Sequence, residues 1–359
     1  MQTLNYAPDV IEDLGRLADF LEYRDPLIWR RVQFLIRHIE AAPKFMLPAG
    51  GLCFEGMDSV NRNERALARA PYPVFCIEFE GDVEPDDGQS PVAVYPTVKR
   101  FALVMDLDDK SVREDVAAHL DPDHRALWPG RALLVMPIDF LQDGSTTELP
   151  PDLRDTRWFP CWVAAQFTLD EVPLVEDPRE ALSTEEYRAW RRGGGKGREV
   201  EKYGMHALVF NEAGTPPALQ QARTQQEAMD IWQRAYHIDT SYECVAAAQL
   251  CIALACENLQ AGVINAPPKL NAKRAKRGKS PLPDYRVVML DPASSAGRPG
   301  TPDNRGAAGG DRRVRSHLRR GHLRRLASGK VTWVRATSVN TGMPAVGQRY
   351  AVPGPIRDA

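Results

Sequence analysis

Charge is distributed unevenly along this chain of 359 residues, which limits what each part of it can fold into. Between Asn265 and Arg335 there are 18 Lys or Arg residues against 4 Asp or Glu residues, a net charge of +14. Residues 1–264 hold 26 basic and 43 acidic residues, a net charge of −17, and the last 24 residues add +1. The whole-chain charge of −2 hides this division. The pattern predicts an acidic folded body that carries a cationic segment directed at a polyanion or an acidic partner.

The composition indicates a folded protein, because 43% apolar and 8% aromatic residues are enough to build a substantial core. The length suits two domains of ordinary size, or one large domain with appendages. No apolar run approaches the roughly 18 residues that would span a bilayer. The first residues, 1–5, lack both the basic start and the apolar core of a secretory signal. We therefore expect a cytoplasmic protein with no membrane partner.

The six cysteines are scattered, with no CxxC pair and no zinc-ligand spacing. Cys244, Cys251 and Cys256 lie in an apolar stretch with helical spacing, where buried free thiols are common. The sequence therefore predicts core packing for these three residues. It predicts no metal site and no small-molecule cofactor.

Hydrophobic periodicity predicts the secondary structure. Two helices fill the first 42 residues, with Pro8 and Pro26 in their first turns and Asp25 as an N-cap. Two further helices are expected later, at Pro217–Gln233 and Thr240–Ala261. Alternation of apolar and polar residues predicts a half-buried strand at Tyr72–Glu80. Further strands, separated by Pro and Asp/Gly clusters, are expected at Phe101–Leu107, Ala132–Phe140, Cys161–Leu169 and His206–Phe210.

These elements predict an α+β fold with N-terminal helices, a central, mostly antiparallel sheet, a helical pair and a C-terminal basic β-hairpin. We divide the chain into an N-terminal helical segment (1–70), a mixed β-sheet body (71–212) and the helical pair (213–262). A basic, partly disordered linker (263–312) follows, with a short strand at Tyr285–Leu290 and an Ala/Gly/Pro/Ser-rich stretch at Asp291–Gly310. The hairpin and tail complete the chain (313–359).

The C-terminal segment Arg312–Arg325 is dense in arginine and contains two histidines. A hairpin turning at Ser328-Gly329 fits it best, because a helix through Gly321 would cost about 1 kcal/mol. A bulge at Gly321 would bring the two histidines to one face of the strand. We expect the contact surface for the partner to comprise Arg315, His317, Arg319, Arg320, His322, Arg324, Arg325 and Trp333.

Three interpretations of this segment remain open. The arginines bind phosphates while Trp333 offers a stacking face. Alternatively, His317 and His322 act as acid and base in metal-independent RNA cleavage, which would make the protein an enzyme. In the third, the hairpin is a solvated structure that packs on the acidic body. On the residues alone an enzyme is the less favoured of these, and a general phage nucleic-acid-binding protein is a further alternative.

Other motifs carry weaker signals. Gly193–Gly197 reads Gly-Gly-Gly-Lys-Gly, which lacks the Ser or Thr of a phosphate-binding loop and is interpreted as a flexible loop. Glu78 and Glu80 share a strand face and could bind a cation with Asp106 and Asp108. We expect instead that these acids are solvated on the outer face of the sheet. The charge run Lys269–Lys279 is interpreted as a solvated face or a nucleic-acid contact.

The string His-Leu-Arg-Arg-Gly-His at His317–His322, followed by a glycine and a Trp-Val-Arg strand, resembles the end of a type V-A anti-CRISPR family. The reference member of that family reads His-Ile-Arg-Arg-Gly-His at the matching place. Pro71–Glu80 resembles its Pro-led strand, and Asp239–Cys256 resembles its apolar helix. The family's aromatic-rich stretch after the second histidine is replaced here by Leu-Arg-Arg-Leu.

The resemblance implies a protein from a phage or plasmid that blocks type V-A CRISPR immunity indirectly, in the host cytoplasm. In this scheme the protein recognises the N-terminal part of the effector nuclease during translation, and the effector mRNA is lost. The implied partners are the nascent effector polypeptide and, through the basic segment, the ribosome or RNA. The resemblance supplies no catalytic residues.

Overall fold

A computed structural model describes much of the chain, with gaps. The described residues are 4–54, 62–81, 99–119, 131–141, 150–161, 163–169, 174–175, 200–201, 205–209, 240, 242–290, 317–319, 322–334 and 337–339. The predicted helix at Pro217–Gln233, the glycine-rich loop at Gly193–Gly197 and the stretch Asp291–Gly310 lie outside them.

The two predicted N-terminal helices are confirmed as α1 (Ala7–Leu21) and α2 (Pro26–Ala41). Each begins with a proline in its first turn, where the missing N–H group has no helical acceptor to lose. Asp25 caps α2, since its carboxylate accepts a hydrogen bond of 3.0 Å from the Ile28 amide. The apolar stripes of both helices face the sheet that follows.

A nine-stranded sheet forms the centre of the described structure. Its strands are β1 (Lys44–Met46), β2 (Val74–Glu80), β3 (Lys99–Asp106), β4 (Ala132–Phe140), β5 (Trp158–Pro160), β6 (Val163–Thr168), β9 (Met205–Val209), β10 (Leu259–Ile264) and β11 (Tyr285–Leu290). The strand order is β10–β11–β1–β2–β3–β4–β6–β9, and β5 pairs with the C-terminal end of β4. Only β1 runs parallel to its two neighbours, and the other pairs are antiparallel.

Shorter elements complete the described part. Two-stranded pairs are formed by β7 (Leu174–Val175) with β8 (Val200–Glu201), by β12 (His317–Arg319) with β15 (Thr337–Val339), and by β13 (His322–Arg325) with β14 (Val331–Val334). The remaining helices are α3 (Arg62–Arg65), α4 (Lys110–His119), α5 (residues 242–255) and α6 (Pro268–Ala275). The predicted α+β class with a mostly antiparallel sheet and a C-terminal hairpin is confirmed.

Both faces of the sheet are covered. Helices α1, α2 and α4 cover one face, where Leu14, Val32 and Trp158 belong to the buried cluster. Helix α5 and the hairpin β13–β14 cover the other, where Ala247 and Trp333 belong to a second cluster. Because apolar side chains alternate between two covered faces, both sides of the central strands are buried.

This burial corrects the prediction for Tyr72–Glu80. The strand is buried on both faces rather than half-buried, and its end residues are the more accessible ones. Glu78 is 0% exposed, so the expectation that it is solvated on an outer face is wrong. Its neighbour on the same face, Glu80, lies at the strand end and is partly exposed.

A second correction concerns the helix predicted at Thr240–Ala261. Helix α5 ends at residue 255, and the chain turns through 256–258 into β10. Strand β10 pairs antiparallel with β11 along its whole length, from Leu259 opposite Leu290 to Ile264 opposite Tyr285. Pairing with β11 therefore determines the conformation of residues 259–264, although their local pattern favours a helix. Hydrophobic periodicity cannot predict such a tertiary effect.

In the described part of the chain, none of the helices combines the length and the apolar character needed to cross a membrane.

Candidate partner-binding surface

The basic hairpin forms in the predicted place. Strands β13 and β14 pair antiparallel, with His322 opposite Val334 and Arg325 opposite Val331. The turn is closed by a hydrogen bond of 2.7 Å from the Leu326 amide to the Lys330 carbonyl. Gly329 has a φ of +81°, a left-handed conformation that favours glycine, so the Ser328-Gly329 turn is confirmed.

One side of this hairpin docks on the core. Val331 and Trp333 alternate with more exposed residues and are 8% and 7% exposed. The Trp333 ring lies 4.6 Å from the Phe54 ring, centroid to centroid. Its backbone is held by Asn258, whose amide group donates to the Trp333 carbonyl at 3.0 Å and accepts from the Trp333 amide at 2.9 Å. These contacts fix the orientation of the arm, which we define as residues 322–334.

The burial of Trp333 corrects one part of the predicted contact surface. We expected its ring to be a stacking face for nucleic acid. The ring is instead covered by the core, where a large aromatic side chain stabilises the docked hairpin through buried apolar area.

Arg324 and Arg325 are exposed near the turn of the arm. Arg325 and Lys330 line a groove of about 320 Å³ together with Arg69, and Ile252 of α5 also lines it. Lys330 also pairs with Glu257, whose hydrogen bond raises the pKa of the lysine. The structure thus brings three cationic side chains from two distant parts of the sequence to one groove.

Arg69 was missed by the sequence analysis, and no local pattern marks it. It follows α3, and its guanidinium donates to the backbone carbonyls of Ala66 and Ala68 at 3.0 and 2.7 Å. These bonds fix the position of the guanidinium group at the groove. Only the long-range contact between residues 66–69 and the arm reveals it.

The other predicted contact residues are described only in part. His317 and Arg319 lie on β12, which pairs with β15 rather than with β14, and the backbone of His322 lies on β13. The side chains of these three residues, the residues Arg315 and Arg320, and the predicted bulge at Gly321 lie outside what the structure describes. Their contact roles, and the alternative role of the two histidines in cleavage, stay predictions.

A buried carboxyl group links the N-terminal helix to the sheet. Glu78 on β2 accepts a hydrogen bond of 3.0 Å from the Tyr6 amide, at the start of α1. The Tyr285 hydroxyl lies 3.2 Å from the same oxygen and 3.1 Å from the Asn5 side-chain oxygen. Burial raises the pKa of Glu78 to about 8, although the hydrogen bonds oppose this shift. The group is therefore largely protonated at neutral pH.

The described residues contain no group of three or more His, Cys, Asp or Glu side chains able to hold a metal ion. All six cysteines are free thiols, and Cys244, Cys251 and Cys256 are buried in the core as predicted. Burial raises the pKa of the Cys53 thiol to about 12 and that of Cys256 to about 11. These thiols are accordingly poor nucleophiles.

Comparison with known proteins gives one match. No curated protein and no solved structure matches the chain. The model of the AcrVA2-like family, described as the Anti-CRISPR type V subtype A2 family, matches residues 60–341. This range begins just before α3 and ends after β15, so it includes every strand of the sheet except β1, together with α5, α6 and the arm. The chain therefore belongs to the AcrVA2-like family of type V subtype A2 anti-CRISPR proteins.

Proposed function

We propose that this protein lowers expression of a type V-A effector nuclease by recognising the nascent effector and promoting loss of its mRNA. The observation that carries the proposal is the family match over residues 60–341. It acts as a binding adaptor in the host cytoplasm and needs no small-molecule cofactor. A phage or plasmid that encodes such a protein would prevent the effector nuclease from accumulating and attacking its nucleic acid.

The division of charge supports an adaptor. Residues 1–264 are strongly acidic, and exposed acidic residues include Asp9 and Asp19 of α1 and Glu22 directly after it. An acidic surface attracts a cationic nascent segment, whereas the arm and the Arg69 groove attract an anion such as RNA. We propose that the nucleic-acid or ribosome contact is made by the arginines of the arm and of the sequence just before it. These are Arg315, Arg319, Arg320, Arg324 and Arg325, with His317 and His322.

The test measures effector mRNA in cells that express a type V-A effector with and without this protein. Two altered effector genes distinguish recognition of the nascent peptide from recognition of the RNA sequence. In the first, synonymous codons change the RNA but keep the N-terminal peptide; in the second, a compensated frameshift keeps nearly all nucleotides but changes the peptide. We expect the transcript to fall with the wild-type and synonymous genes and to persist with the frameshifted gene.

A matched pair of protein variants tests the arm. Arg324→Gln/Arg325→Gln removes two exposed charges from the arm, and Arg30→Gln/Arg154→Gln removes two exposed charges elsewhere. We expect only the first variant to spare the effector mRNA. An effector transcript that is unchanged by the wild-type protein would contradict the proposed mechanism, and loss of activity in both variants would contradict the role of the arm.

A further inference from the structure

The connection between β10 and β11 is a second basic element, separate from the arm. It contains α6 and the turn after it, and we call residues 266–284 the basic projection. No acidic residue occurs between Asn265 and Asp284. Six cationic residues occur in the same interval: Lys269, Lys273, Arg274, Lys276, Arg277 and Lys279.

The basic projection is folded although its helix buries nothing. None of the eight residues of α6 is buried, and even Leu270 is 43% exposed. An isolated helix of this length is only marginally stable in water, so other contacts must hold its shape. Packing of an apolar face on the core therefore does not account for the order of α6.

Polar contacts supply that order. The side chain of Asn271 donates to the Leu282 carbonyl at 3.0 Å and accepts from the Leu282 amide at 2.7 Å. Arg274 donates to the Ser280 carbonyl at 2.7 Å, and Asp284 accepts from the Ala266 amide at 2.8 Å. Gly278, with a φ of +67°, ends the helix in a left-handed turn.

The remaining cations of the projection point to solvent. Lys269, Lys273 and Lys276 are spaced four and three residues apart, so they form one stripe along the helix. Arg277 and Lys279 extend the charge beyond it, and all five side chains are exposed. In the described part of the chain none of the five makes an ion pair. The polar contacts above therefore hold a preorganised row of free positive charges.

The chemistry of this surface suits phosphate groups better than a protein partner. Protein interfaces are depleted in lysine and rely on buried aromatic anchors, whereas the projection is rich in lysine and contains no aromatic residue before Tyr285. Exposed lysine and arginine side chains are the groups that neutralise phosphates in nucleic-acid complexes. Affinity from such contacts is electrostatic and independent of sequence.

We propose that the basic projection binds the phosphate backbone of single-stranded RNA. The choice of single-stranded RNA as the nucleic acid rests on the function proposed above, which puts the protein beside an mRNA under translation. Binding uses Lys273, Lys276 and Arg277 as phosphate contacts, with Asn271 keeping the element in shape. The arm is a separate site, so this activity does not require Arg324 or Arg325.

The experiment measures binding of the purified full-length protein to a fluorescently labelled single-stranded RNA by anisotropy, over a range of salt concentrations. The test variant is Lys273→Gln/Lys276→Gln/Arg277→Gln, since glutamine has a helix propensity close to that of lysine and arginine. The control is Arg30→Gln/Lys110→Gln/Arg154→Gln, which removes the same charge from exposed positions outside the projection. Circular dichroism compares the folds of the two variants.

For single strands the affinity changes with salt by a log–log slope of about 0.7 per phosphate contact. Three lost contacts should therefore make the slope shallower by about 2. Since one contact corresponds to about fivefold in affinity between 1 M and 0.1 M salt, the test variant should bind about a hundredfold more weakly at 0.1 M. The control should retain most of the wild-type affinity.

Equal affinity of the test variant and the wild-type protein would overturn the proposal, as would equal weakening by the test and control variants. Tighter binding to labelled duplex DNA or to labelled polyglutamate than to the RNA would also overturn it, in favour of a different partner. Because this assay contains no effector, its failure is distinguishable from failure of the effector-mRNA experiment.

Discussion

Replacing Glu78 by glutamine should change how the stability of this protein depends on pH. The wild-type carboxyl is fully buried between β2, the start of α1 and β11, beside the Tyr6 amide and the Tyr285 hydroxyl. Burial raises its pKa from an ordinary 4.5 to about 8, because a charge there would be poorly solvated. Glutamine keeps the size and an acceptor oxygen but cannot ionise.

The sign of the effect follows from proton binding. Between pH 4.5 and 8 the unfolded chain has released the proton of Glu78 while the folded protein retains it. The contribution of Glu78 to the free energy of unfolding is therefore fully present below pH 4.5, and it is lost as the pH rises through 8. The free energy of unfolding falls by about 1.4 kcal/mol per pH unit within the window, or about 2 kcal/mol between pH 6 and pH 8.

The assay is urea unfolding at pH 6, 7 and 8, followed by tryptophan fluorescence and extrapolated linearly to water. The free energy of unfolding of the wild-type protein, minus that of Glu78→Gln, should fall by about 2 kcal/mol from pH 6 to pH 8. Titration of other groups cancels in this difference, since both proteins contain them. Lys44 and Asp9, the charged neighbours of Glu78, are also unchanged.

Glu80→Gln is the matched control, because it removes a carboxyl group from the same face of the same strand at a partly exposed position. Its difference from wild type should vary by less than about 0.5 kcal/mol over the same range. A wild-type minus Glu78→Gln difference that is constant between pH 6 and pH 8 would refute the reasoning. The carboxyl group would then be ionised in the core.

Three further outcomes test the other contacts. Asn258→Ala should cost about 1–3 kcal/mol and speed amide hydrogen exchange in residues 322–334 but not in α1, because both backbone bonds to Trp333 are lost. Trp333→Ala should lower the free energy of unfolding by about 3–5 kcal/mol in the same urea assay. Burial lowers the pKa of His38 below 6.5, so NMR titration should find it neutral at pH 7. Asp115→Asn should lower that pKa further, because a neutral amide replaces the carboxylate that lies 2.8 Å from the ring and favours its charged form.

Elements with strong local signals were predicted well from the sequence. The proline and aspartate at the start of α2 act within one helical turn, so the Asp25 cap could be recognised without tertiary information. Apolar segments bounded by Pro and Asp/Gly clusters predicted Ala132–Phe140 with the bounds that the structure has, and predicted β2, β3 and β6 to within two residues at either end. The hairpin turn was equally local, because Gly329 supplies a left-handed residue between two short strands.

Elements that depend on distant partners were missed or misjudged. Strand β1 has only three residues and exists because it fits between β2 and β11. Strand β10 looked like the end of a helix, since Leu259 continues the apolar spacing of α5, until its pairing with β11 is considered. The burial of Glu78 was misjudged for the same reason: an acid in an alternating strand looks solvated when the second covering layer is unknown.

The candidate site combines both kinds of information. The arginines of the arm could be picked out by composition alone, but the groove needs Arg69, whose proximity to Lys330 arises only from folding. The wrong prediction of Trp333 as a stacking residue also arose because its position depends on folding. A tryptophan in a basic strand suggests base stacking, whereas the docking of that strand on Phe54 assigns the ring to the core.

A single short connection positions both basic elements. Residues 256–258 link α5 to β10, and within them Glu257 pairs with Lys330 while Asn258 holds the backbone of Trp333. The chain then runs directly through β10 into the basic projection. The helix α5 that anchors this connection lies among the buried residues of the acidic body. Among the residues that the structure describes, the exposed arginines and lysines of the arm and of the basic projection make no ion pair with the body, apart from the pair of Lys330 with Glu257. In this part of the molecule the charge segregation along the sequence is therefore also a segregation in space.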